Sequence, residues 1–154
     1  MELKRSRYNI AVNLICLLLL SGIIVCLLLT WKKIPDKIPG HYNAMGVVDR
    51  WGNKGELLIL PIVGWILYFM MTMIERFPQA WNTGITVTEG NKERIYPIIG
   101  NMLGTMKLSL VSVFVFLTIN SALAKELPAW FLPAVVILIF GSIVYFIAKL
   151  IKAR

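Results

Sequence analysis

The sequence predicts an all-α integral membrane protein, a four-helix transmembrane bundle with a structured extracytoplasmic loop. Three observations carry that prediction. Of the 154 residues, 58% are hydrophobic and the mean hydropathy is +0.73, far from the balance of a soluble domain. Four apolar runs, at about 10–31, 57–74, 103–123 and 130–148, approach the roughly 20 residues that cross about 30 Å of hydrocarbon. Between the first two lies a polar insertion, KIPDKIPGHYNAMGVVDRWGNKGE (33–56), which holds the only histidine of the chain.

The first run follows Lys4, Arg5 and Arg7 and ends in Trp31, Lys32 and Lys33 with no small-residue cleavage site, so it reads as a retained anchor. Unpaired backbone groups are costly in lipid, which makes all four runs helices. In the insertion, Pro35 and Pro39 fix two φ angles and push Ile34 and Ile38 toward extended geometry. Asn43 to Gly46 fits a type I turn, Gly52 to Gly55 offers a second, and VVDRW between them suits a short strand facing HYN. Such a pair makes a small lid that needs support from the helix ends or headgroups beneath it. In the loop from Glu75 to Asn101, Thr88 or Asn91 caps a helix with Glu89 or Glu93 in its first turn, continuing past a kink at Pro97. Phe77, Trp81 and Tyr96 suit the headgroup level. The short connection Ala124 to Ala129 folds the last two spans into an antiparallel hairpin, and with no internal repeat the chain reads as one domain, 1–154.

The formal charge of +8 is spread over termini and loops and forms no stripe, which argues against nucleic acid. Topology accounts for it better. With the N-terminus inside, ten basic residues (Lys4, Arg5, Arg7, Arg76, Lys92, Arg94, Lys107, Lys149, Lys152, Arg154) lie inside, against six outside (Lys32, Lys33, Lys37, Arg50, Lys54, Lys125). The expectation is a multi-pass protein of the bacterial cytoplasmic membrane with N- and C-termini cytoplasmic and the insertion outside. Cys16 and Cys26 lie in one helix, too far apart for a disulfide, and read as small buried apolar residues.

IPDKIPGHYNAMGVVDRWGNK, followed after one apolar span by Asn82, Thr88, Glu89, Asn91, Arg94 and Tyr96, then Met102 and Lys107, resembles the bacterial membrane family called domain of unknown function 1648. That family includes the N-terminal half of the SdpI-type immunity proteins. The resemblance implies an integral membrane protein and, through the best-understood relatives, protection against a secreted toxin peptide and sequestration of a cytoplasmic transcriptional repressor. Those relatives are longer and have more spans. Gly40 also departs from the Thr or Ser usual before the histidine, and NTGITV replaces a more proline-containing segment.

Two groups of candidate residues emerge. The outer, ligand-binding group is Pro35, Asp36, Pro39, His41, Asn43, Gly46, Asp49, Trp51 and Lys54; the inner polar cluster is Glu75, Asn82, Glu89, Asn91, Arg94, Tyr96 and Lys107. His41 with Asp36, Asp49 and Glu56 has the donor types for Zn, Mn or Ni, though not a diagnostic spacing, and neither CxxC nor HExxH occurs. In the structural alternative His41 bonds a carbonyl while Asp49 caps a turn or pairs with Arg50 or Lys54. Lys107 either snorkels to the headgroups or pairs with Glu75, with Asn101 and Thr105 completing a cluster that docks a cytoplasmic protein or couples to protons. Gly100 and Gly104 form a GxxxG for a helix crossing or homodimer contact. Trp31, Trp51, Trp65, Trp81 and Trp130 fit an aromatic belt, and Met70, Met71 and Met73 fit lipid-facing or packing positions.

The function expected is therefore non-enzymatic: a binding protein for immunity or sensing, engaging a secreted peptide or small ligand through 34–54 or the cleft beneath it. It needs no cofactor, and its partners are the lipid bilayer, a secreted peptide toxin, a cytoplasmic repressor or a second copy. The alternative is a metal- or proton-dependent membrane enzyme or transporter using His41, Asp36 and Asp49, although no nucleophile and orienting third group accompany His41. A plainer one is a structural subunit whose loop only staples helix ends.

Overall fold

The computed structural model describes residues 6–78, 81 and 84–153. Four helices, α1 (Arg7–Thr30), α2 (Ile59–Glu75), α3 (Lys92–Ala122) and α4 (Phe131–Ala153), carry the fold, and each lies in a helical segment long and apolar enough to cross a membrane. The protein is a multi-pass membrane protein. Two strands, β1 (Lys37–Tyr42) and β2 (Val48–Asn53), fill the insertion, flanked by 3-10 turns at Trp31–Lys33 and Lys54–Leu58.

α3 is the central helix, packed against each of the other three. α1 is apolar on all sides, as a helix in lipid is expected to be, yet Val12, Cys16, Leu20, Ile23 and Leu27 are buried at spacings of three and four, which picks out one face. On α3 the facing stripe runs through Gly100, Gly104, Lys107, Val111 and Val115. The opposite faces stay bare: Leu29 is 79% exposed and Ile137 71%, surfaces that call for hydrocarbon around them. Cys16 is buried as expected, but Cys26 is exposed on that lipid-side surface.

The GxxxG resolves as a crossing within the bundle. A Cβ at Gly104 would lie 2.6 Å from Asn9 Oδ1, and one at Gly100 would lie 3.3 Å from Asn9 Nδ2. The two glycines therefore let α1 and α3 approach closely, and the homodimer reading of this motif does not apply.

α3 has 31 residues, about 46 Å of helix at 1.5 Å each, so it outreaches the bilayer core. It runs unbroken through Pro97. Asn91 stands at its N-cap position without a capping bond. Its side chain turns back instead, accepting from Thr88 N at 2.7 Å and donating to Thr86 O at 3.1 Å. The second turn expected over Gly52 to Gly55 is also different: β2 runs to Asn53, and a 3-10 turn follows directly. The cause is a capping box, in which Asn53 N donates to Glu56 Oε1 at 3.0 Å while the Asn53 side chain serves the backbone of the new turn.

Candidate functional site: the hairpin and the cleft beneath it

The two strands pair antiparallel, with Ile38 opposite Gly52 and Pro39 opposite Trp51. The next pairs are His41 with Arg50 and Tyr42 with Val48, so Gly40 and Asp49 each lack a partner. The irregularity begins directly after Pro39, which has no N–H to give the ladder. At the far end Asn43 organises the turn: its carbonyl accepts from Gly46 N at 2.9 Å, and its side-chain oxygen accepts from Met45 N and Val47 N. Gly46 has φ +81°, the left-handed region that a Cβ disfavours.

A two-stranded sheet is marginal alone, and this one is fastened at both ends. At the tip, Leu127 N donates to Gly46 O at 2.9 Å. A Cβ on Gly46 would come within 3.1 Å of the Leu127 carbonyl oxygen. Beside it the Tyr42 hydroxyl donates to Lys125 O at 3.0 Å and accepts from Asn120 Nδ2 at 3.2 Å. At the base, Lys54 N donates to Asp36 O, Lys54 Nζ donates to Ile34 O at 2.9 Å, and the ammonium lies 5.0 Å from the Trp31 ring centroid. Ile38, buried to 1%, joins Leu27, Ile34, Leu57 and Val115 in the main core.

Beneath this roof lies a cavity of about 460 Å³. Its walls come from Val113, Leu117 and Ser121 on α3, Ile59 and Leu60 at the start of α2, and Phe131, Leu132 and Val135 at the start of α4. The hairpin supplies Ile38 to Asn43 and Arg50, and Glu56, Leu57 and Leu127 complete an apolar interior with a polar margin. Small-molecule sites usually occupy about 300–1,000 Å³ and combine an apolar lining with a few placed polar groups.

Of the outer residues singled out from sequence, Pro39, His41 and Asn43 line this cavity. Pro35, Asp36, Gly46, Asp49, Trp51 and Lys54 are not among its lining residues. Among the described residues His41 bonds no carbonyl and Asp49 pairs with neither Arg50 nor Lys54: His41 Nδ1 stands 2.6 Å from Asp49 Oδ1, with both side chains exposed. A carboxylate only accepts, so Nδ1 is the donor of this pair. Arg50 pairs instead with Glu56, Nη2 to Oε2 at 2.9 Å. Among the described residues no three His, Cys, Asp or Glu side chains gather where they could hold a metal, so His41, Asp36, Asp49 and Glu56 do not form a common donor set.

The inner polar cluster comes apart into separate contacts. Glu75 and Lys107 do meet, Nζ to Oε2 at 2.7 Å, with the lysine 1% exposed. Lys107 therefore does not snorkel. It donates also to Asn13 Oδ1 at 2.8 Å and Thr72 Oγ1 at 3.3 Å, and sits 5.3 Å from the Tyr68 ring centroid. Asn101 and Thr105 face the start of α1 instead, bonded to Ser6 and Tyr8 at 2.8 Å each. Glu89 pairs with Lys92, Arg94 is exposed, Tyr96 packs edge-on against Trp81, and Asn91 serves the Thr88 turn. Asn82 lies outside the described residues, as do Lys4, Arg5 and Arg154 of the charge count.

Sequence reasoning missed Asn13, Tyr68 and Thr72 around Lys107, and Gly40, Tyr42, Arg50, Ser121 and Leu127 around the cavity. A polar Asn within an apolar first span was the available signal for Asn13; the Tyr42 to Asn120 contact joins residues 78 apart and leaves no local pattern.

A family model described as a domain of unknown function, DUF1648, matches residues 17–72, which run from α1 through the whole hairpin into α2. The second group of residues behind the resemblance, Asn82 to Lys107, lies beyond that match. An uncharacterized protein of Archaeoglobus fulgidus is 40% identical over 63 residues, covering 36% of this chain and 34% of its own. The match thus spans about a third of that relative's length. No solved structure matches the chain.

Proposed function

We propose that this protein is a non-enzymatic binding protein of the cytoplasmic membrane, with both termini in the cytoplasm, receiving a secreted peptide or small ligand in the cleft beneath its extracytoplasmic hairpin. The observation that carries the reading is the 460 Å³ cavity roofed by β1, with an apolar interior and the polar groups His41, Asn43, Arg50 and Glu56 at its margin. A roof already fastened at tip and base reduces the ordering cost of capture. Immunity or sensing follows from such binding, and a kinship with SdpI-type immunity proteins, including capture of a cytoplasmic repressor, belongs to the same proposal. The metal-dependent alternative finds no gathered donor set among the described residues.

The test is survival of cells exposed to secreted peptide toxins or membrane-active antibiotics, comparing an empty vector, wild type and Leu117→Trp, which fills the cavity, at matched expression. Protection by wild type that Leu117→Trp loses is expected. Equal survival of all three strains removes the immunity role for the agents used, and protection that Leu117→Trp retains removes the cavity from it.

A further inference from the structure

We infer that the cavity takes an anionic amphiphile, its apolar chain lying on Val113 and Leu117 of α3 and its carboxylate or phosphate meeting Arg50. The inference rests on the binding reading above and names its ligand.

Arg50 is the cationic residue among those lining the cavity. The sequence clears space to hold it there. A Cβ on Gly40 would fall 2.8 Å from the Arg50 Cζ and Nη2, so only a glycine lets the guanidinium lie against β1. Arg50 Nη2 donates to Gly40 O at 2.9 Å. A Cβ on Gly52 would fall 2.6 to 2.7 Å from the Glu56 carboxyl group, which is how Glu56 tucks in to meet the same Nη2. Gly40 thus has a physical role where the resemblance expects Thr or Ser: either residue would displace the guanidinium.

Both described contacts of the guanidinium run through Nη2. Nη1 and Nε have no partner among the described residues, and each can give a single charge-assisted hydrogen bond to a carboxylate or phosphate oxygen. The wider field has the same sign. From Lys32 to Glu56 the segment carries five basic residues against three acidic ones. Glu56, the acidic lining residue, is held by Arg50 Nη2, and beyond that pair the lining becomes apolar through Leu57, Leu60, Leu117 and Val135, which suits a hydrocarbon chain. An anion above and a chain below together define the ligand class. Fatty acids and lysophospholipids share that chemistry, and the probes separate them.

The whole protein is placed in phosphatidylcholine nanodiscs with three probes bearing the same mid-chain diazirine: palmitate, a lysophosphatidylglycerol and hexadecanol. After photolysis, peptides containing Val113, Leu117, Leu132 and Val135 are compared with those containing Leu28 and Leu29, whose exposed side chains report bulk lipid. One or both anionic probes are expected to label the cavity peptides well above that reference, and the preferred one identifies the head. Arg50→Gln is expected to lower the labelling about tenfold, as loss of a charge-assisted hydrogen bond predicts. Arg50→Lys retains part of it, and Lys37→Gln, which lowers the loop charge equally, leaves it unchanged. Equal labelling by hexadecanol, insensitive to Arg50→Gln, overturns the anionic head while the cavity reading survives. No cavity labelling by any probe overturns both.

Discussion

Lys107 shows how a single residue can be half legible. An ionisable side chain inside an apolar run marks a functional or pairing position, and Glu75 was its evident partner at the same level. Its third-party ligands were not evident, because Asn13 and Tyr68 reach it from other helices and no spacing along the chain ties them to it. Removing one member of a buried pair strands the other, at a cost of about 3–5 kcal/mol. Lys107→Met should therefore lower the unfolding midpoint in detergent sharply, while Lys107→Met with Glu75→Gln should recover much of the loss. Equal midpoints for the single and double variants would show that the pair is not coupled. Tyr42→Phe removes the bonds to Lys125 O and Asn120 Nδ2 and should cost about 1 kcal/mol, seen as faster hydrogen exchange across β1 and β2.

Among the elements, the four helices were legible because their signal is local: length and hydropathy of contiguous residues. The sharp departures lie where a side chain redirects the backbone. Asn53 and Glu56 convert an expected turn into the 3-10 entry of α2, and Asn91 spends its side chain on Thr88 N. The α1–α3 crossing makes a graded prediction. Gly104→Ala places a Cβ 2.6 Å from Asn9 Oδ1 and should destabilise by about 1–3 kcal/mol, as overpacking does. Gly100→Ala meets Asn9 Nδ2 at 3.3 Å and should cost less. Thermal unfolding of both variants in one detergent gives the order, and a reversed order contradicts the assigned packing.

At the scale of the molecule, the cavity was the least legible feature, since its lining is drawn together from α2, α3, α4 and the hairpin and belongs to no one segment. The orientation drawn from the basic residues makes its own prediction. With Cys16 and Cys26 replaced by Ala, Asn53→Cys should react with a membrane-impermeant maleimide in intact cells. Reaction only after lysis would turn the bundle over and place the cleft in the cytoplasm. The attachment of the hairpin at Gly46 and at Lys54 has one more consequence. A canopy anchored on two sides resists lifting as one piece, so whichever fastening yields first decides how the cleft widens, and amide exchange compared at Gly46 and at Lys54 reads that order.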